Sequence, residues 1–159
     1  MSNEEEITND KDGAANVWQK LSRIDVSNHV ETKMNLSYLS WAWAWGILME
    51  NYPDSNYKFT EYNGIDIMVY PNGSASVECR LTVGGITRCM GLPVMDNRNN
   101  SIADPSSREV SDAKMRALVK CIAMFGLGHY LYAGEDLPLH ESPGCPPEEV
   151  LPSTVLSAS

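Results

Sequence analysis

The sequence has no run of about eighteen apolar residues, so it offers no segment to span a membrane. Its opening, MSNEEEITND, has neither a basic stretch nor an apolar one, and a secretion leader is not expected. The four cysteines, Cys79, Cys89, Cys121 and Cys145, form no CxxC pair, so neither a zinc framework nor a disulfide scaffold is suggested. Free thiols of this kind are ordinary in a reducing cytoplasm, the compartment expected here. A GxxxxGK[ST] phosphate loop, a GxSxG elbow and an HExxH pair are all missing. The three histidines are dispersed, and none pairs with a nucleophile. No cofactor, resident metal or turnover chemistry is expected.

Basic residues are scarce at both ends. Residues 1–12 hold five acids against Lys11, and residues 133–159 hold Glu135, Asp136, Glu141, Glu148 and Glu149 with no Lys or Arg. The net charge of −9 therefore resides in the ends, and residues 13–132 are neutral. Within them, residues 80–120 carry Arg80, Arg88, Arg98, Arg108, Lys114, Arg116 and Lys120 against four acids. This asymmetry fits a basic binding surface with acidic tails, but charge alone favours a solvated surface with disordered ends.

What is present centres on Arg108 to Tyr132. At about 100° per residue, Val110, Ala113, Ala117, Cys121, Met124 and Phe125 gather on one side, widened by Leu118 and Ile122. Glu109, Asp112, Arg116 and Lys120 oppose them. Arg116 and Lys120, four residues apart, project from one face. Lys114 falls inside the apolar sector, where its stem can snorkel over the core edge. Ser106 or Ser107 can cap this helix, and Gly126 and Gly128 stop it.

Earlier in the chain, residues 1–15 are acidic and without periodicity, and are expected to be disordered. Asn16 to Arg23 can make two helical turns. Asp25 to Asn35 reads as extended or loop. LSYLSWAWAWGILMENYP reads as a helix capped by Ser37, with Tyr38, Trp41, Trp45, Leu48 and Met49 on one face. The W-A-W-A-W alternation also fits a strand. Those tryptophans suit either a base-stacking platform or a core. Strands are expected at Tyr57–Tyr62, Ile65–Tyr70, Ala75–Val83 and Ile86–Leu92, an antiparallel meander with one wet face. Gly84 and Gly85 form its two-residue turn. Residues 93–107 form an Asn-rich loop carrying Arg98. From Leu139 onward the chain is Pro- and Ser-rich, and a disordered tail is expected.

Two chemistries follow. Asp66 with Glu78-Cys79-Arg80 loosely matches the paired carboxylates of Mg²⁺-dependent nucleases. The lysine of that pattern is replaced by Arg80, a poor substitute because it does not release its proton. The other chemistry is phosphate binding. A groove between meander and helix would be lined by Arg80 and Arg88 from the sheet and by Arg116 and Lys120 from the helix.

The segment VSDAKMRAL at 110–118, behind a meander and a loop, resembles the core of the single-strand annealing proteins, including the eukaryotic recombination protein of that superfamily. LSYLSWAWAW at 36–45, LPVMDNRNNSI at 92–102 and LVKCIAMFGLGHYLYAGEDLP at 118–138 look like bacteriophage annealing proteins of the Sak/Erf type. The resemblance implies an α+β fold, an antiparallel meander packed on a long helix (the β-β-β-α core). It implies an annealing domain over 16–138 between acidic tails at 1–15 and 139–159. It implies subunits assembled in rings or helical filaments, single-stranded DNA as partner, and pairing of complementary strands without ATP in recombination and repair. Lys114, Arg116 and Lys120 match the basic helix region of the motif. The eukaryotic relative has a Lys-Arg pair where this chain has Met115-Arg116 and an arginine where it has Val119. Arg80, Arg88 and Arg98 join the candidate DNA-binding set from the strand and loop reading. A phage origin would place the protein in the host cytoplasm, where the acidic tails are candidates to compete with DNA or to engage a host single-strand-binding protein. The competing readings are the Mg²⁺-dependent nuclease using Asp66 and Glu78, and an interaction module that never touches DNA.

Overall fold

The computed structural model describes residues 3–33, 36–96 and 98–133. The expected tail over 139–159, and the domain end at 138, lie outside the described residues. Strand β5 (Ala75–Val83) is the centre. Its strict alternation buries Ala75, Val77, Cys79, Leu81 and Val83 to 1% exposure or less and turns Ser76, Glu78, Arg80 and Thr82 outward. Along one side runs β6 (Ile86–Pro93), in register from Val83↔Ile86 to Ser76↔Pro93. Gly84 and Gly85, with φ of +58° and +79°, make the tight turn between them, a conformation whose twist suits the flanking strands. The other side of β5 is shared by two short antiparallel strands, β3 (Asn56–Phe59) and β4 (Met68–Val69).

Helix α3 (Ser107–Ala123) covers one face of this sheet. Ser106 caps it reciprocally with Glu109: the Glu109 N–H donates to Ser106 Oγ, and the Ser106 N–H donates to Glu109 Oε1. Ala113, Ala117, Leu118, Cys121 and Ile122 are buried beneath or beside it. Each large apolar side chain buried this way contributes roughly 1.5–3 kcal/mol, which is enough to fix the helix on the sheet. On the opposite sheet face Arg80 is exposed and Ser76, Glu78 and Thr82 are half-buried. The expected α+β meander-and-helix core is the fold observed.

The flanking elements complete the core and correct several expectations. Helix α1 (Asn3–Ser22) buries Val17 and Leu21. It includes residues 3–15, expected to be disordered; a helix anchored at one end propagates more readily than it nucleates. Strands β1 (Val30–Lys33) and β2 (Leu36–Leu39) pair antiparallel as a separate two-stranded sheet. The helix expected from Ser37 therefore starts only at Trp41, as α2 (Trp41–Asn51). Ladder pairing with β1 outweighs the helical spacing of Tyr38. Trp43 stacks on His29 at 4.2 Å between ring centres, and Trp45 meets Tyr57 edge-on at 5.1 Å. Of the three tryptophans only Trp41 is largely exposed, so a continuous stacking platform is not formed.

After α3 the chain turns through Gly126 into α4 (His129–Ala133). Gly126 has φ +121°, and a Cβ there would stand 2.9 Å from the Ser22 amide nitrogen and 3.0 Å from the Trp18 carbonyl. The helix expected to stop at Gly126 already ends at Ala123, with Met124 as its C-cap, and Gly126 instead lets α1 approach backbone to backbone. No helix among the described residues is long and apolar enough to cross a membrane.

Candidate nucleic-acid interface

Cations on an amphipathic helix avoid the core by occupying the sector opposite its apolar stripe. On α3 that sector holds Arg116, exposed, and Lys120, half-exposed one turn later. The half of α3 that carries Lys120 is otherwise buried from Ala117 to Ala123. The Asn-rich loop folds back onto this strip. Asp96 organises it, its Oδ1 accepting from the N–H groups of Arg98 (2.8 Å) and Asn100 (3.0 Å). The Asn100 and Arg98 backbone amides hold its carboxyl below the ordinary value. Asn99, at φ +62°, then accepts a hydrogen bond from Arg116 Nη2 at 3.2 Å. Arg98, exposed, precedes Asn99 in this turn. Lys120 Nζ stands 5.7 Å from the centre of the Tyr132 ring, which ties the far end of the strip to α4.

Arg88 lies opposite Leu81 in the β5–β6 register and so takes the helix-side face of β6. Its guanidinium sits 5.5 Å from the centre of the Phe125 ring, at the C-terminal end of α3. The Cys121 thiol donates to the Arg88 carbonyl at 3.4 Å. Contact with the Cys121 thiol, then burial, pushes the Cys79 thiol upward, and both thiols are buried beneath α3.

Two expected groove residues stand elsewhere. Arg80 alternates with buried Cys79 and Leu81 and faces the open side of the sheet, away from Arg116 and Lys120. There it pairs with Glu78 at 3.6 Å. It also has a neighbour that sequence reading missed. Lys58 of β3 lies directly across from Arg80, a placement that follows from a β3–β5 register the sequence does not specify. Lys114, the cation inside the apolar sector, forms an ion pair with Asp66, and its ammonium lies 5.5 Å from the centre of the Phe59 ring. Its side chain is 22% exposed. Lys114 thus docks the 60–70 segment onto α3.

The nuclease arrangement is corrected by the same geometry. Asp66 reaches toward α3, whereas Glu78 points to the open face, where it accepts a hydrogen bond from Thr60 Oγ1 at 2.7 Å. The two carboxylates are on opposite sides of the sheet and do not share one ion. Among the described residues no group of three or more His, Cys, Asp or Glu side chains is arranged to hold a metal.

The family model described as Sak Single Strand Annealing Protein matches residues 16–152. No curated protein matches the chain.

Proposed function

We propose, from the premise that the chain belongs to the Sak single-strand annealing protein family, that it anneals complementary strands without ATP on a phosphate track along α3. Membership makes single-stranded DNA binding and strand annealing in recombination its function; the manner and the residues are the proposal. The track comprises Arg98, Arg116 and Lys120, with Arg88 beside the end of the helix. Lys114 is a positioning residue for the 60–70 segment, and Arg80 belongs with Lys58 to a separate cationic pair on the open sheet face. The protein acts by binding and assembling, as a ring or helical filament of copies, rather than by turnover. Neutralised phosphates repel one another less, so two strands approach while their bases stay free to pair. A host cytoplasm suits the free thiols Cys79, Cys89 and Cys121. The acidic residues beyond Ala133 remain candidates to compete with DNA or to engage a host single-strand-binding protein.

The observation that supports this reading is the convergence of the Asp96–Asn100 loop on Arg116, which sets the Arg98 backbone one residue from the Arg116 contact. The test is binding of a labelled single-stranded oligonucleotide across a salt series, followed by annealing without ATP or Mg²⁺. Each phosphate contact contributes about −0.7 to the slope of log K against log salt for a single strand. Arg116→Ala with Lys120→Ala is expected to make that slope shallower by about 1.4 and to slow annealing. Unchanged binding in the double variant would remove the helix face from the DNA track.

A further inference from the structure

The sheet has two outer edges, and they differ. On one side are β3 and β4; on the other is β6; among the described residues each pairs only with β5. Natural sheets protect such edges with charges, prolines or covering elements. The 65–70 stretch does the opposite. Ile65 is 58% exposed, Met68 36%, Val69 62% and Tyr70 45%. Half of the large exposed apolar residues of the described chain fall in these six positions, so the patch is local rather than scattered.

The stretch is also held in place. Asn63 and Gly64, with φ of +54° and +82°, turn the chain so that Tyr62 and Ile65 bridge each other. Asp66 is fastened to Lys114, Met68 and Val69 pair with Ser76 and Ala75, and the Tyr70 hydroxyl meets Ser76 Oγ at 3.2 Å. Met68 faces the open side of the sheet and Val69 the helix side, so apolar surface wraps both sides of an edge. The one charge inside the stretch, Asp66, is matched by Lys114 from the same chain. Glu61, beside the patch, is exposed.

The β6 edge is the complement. It carries Arg88 and no acid, with Cys89 and Pro93 exposed and Ile86 and Met90 half-exposed. We propose that the Ile65–Tyr70 patch is a subunit interface whose occupant is the β6 edge of a second copy of this chain. This rests on the oligomeric reading above and names its surfaces. Patch against patch would bring two copies of Glu61 together, whereas the β6 edge offers Arg88 and no acid. The two surfaces are different regions of one chain, so the contact is heterologous and repeats from copy to copy, which yields a closed ring or an open filament.

Two measurements test it, both without DNA. Sedimentation of the full chain is expected to show a multimer for the wild type. Val69→Lys, at an exposed position, should show monomer, with an unchanged far-ultraviolet spectrum and at least a tenfold rise in the concentration needed for assembly. The second measurement is cross-linking of Met68→Cys, which shares the open side of the sheet with Cys89, in a Cys145→Ser background with a thiol oxidant such as diamide. A ladder of disulfide-linked multimers is expected, and it should vanish when Cys89→Ser is added. A wild-type multimer that Val69→Lys retains, or cross-links that stop at dimers and survive Cys89→Ser, would overturn this inference and leave the oligomeric reading standing. A wild type that stays monomeric at every concentration would overturn both. Single-strand binding by the Arg116→Ala, Lys120→Ala variant, assayed separately, reports on the DNA track.

Discussion

At the scale of single residues, two positions change meaning between chain and fold. Lys114 is a cation in an apolar sector, and by position it belongs to a basic motif. In three dimensions its ammonium is spent on Asp66 and the Phe59 ring. Asp66→Asn should therefore cost about 1 kcal/mol of stability, since the pair is only partly exposed, and should leave DNA affinity within about twofold of wild type. Urea unfolding and oligonucleotide binding on the same variant check both halves; a gain in DNA affinity well beyond twofold would return Lys114 to the track. Gly126 is the second position. Alanine there meets both a positive φ and the backbone of α1, so Gly126→Ala is expected to destabilise by about 2 kcal/mol or more. A shift of the urea midpoint measures it, and a midpoint equal to wild type would show that α1 can retreat.

At the scale of elements, the loop over residues 94–106 does what its composition does not announce. An Asn- and Asp-rich segment reads as a generic connection. Folded, it is a turn built on the Asp96 carboxylate that brings Asn99 to Arg116. The folded-state pKa of Asp96 is depressed below its ordinary value of 3.8. The contribution of the ionised group is thus complete above that value and is lost as pH falls through the lower folded one. The amide signals of Arg98 and Asn100 should titrate together in that acid window, with Asn99 releasing Arg116 as they do. Flat amide shifts down to unfolding would mean that the turn does not depend on the carboxylate. Elements also mark where periodicity misleads. Tyr38 shares helical spacing with Trp41 and Trp45, yet β2 takes it because β1 supplies a ladder partner.

At the scale of the whole molecule, the sheet separates two cationic surfaces. Arg116 and Lys120 lie on the helix side, and Arg80 and Lys58 on the open side. With no shared partner, their effects should add. Arg80→Ala is expected to weaken single-strand binding by about 0.5 kcal/mol, given its pairing with Glu78, and to sum with Arg116→Ala within about that margin. Affinities of the two single variants and the double variant form the cycle that checks this. A double variant far weaker than the sum would indicate one strand bridging both surfaces.

The sequence by itself determined the parts whose cause is local. The alternation in Ala75–Val83, the Gly-Gly turn, the Ser106 cap and the amphipathic stripe of α3 each arise from residues a few positions apart. The meander and its helix are therefore legible before folding, as is the exposed pair Arg116 and Lys120. Tertiary structure decided everything that depends on which strand lies beside which. The β5–β6 register sends Arg80 and Arg88 to opposite faces, the β3–β5 register sets Lys58 beside Arg80, and α3 settles on the side that carries Asp66 rather than Glu78. A one-residue change of register would exchange those faces, and register is fixed by packing between segments far apart in the chain. For that reason the cations were visible in the sequence while their grouping into surfaces was not.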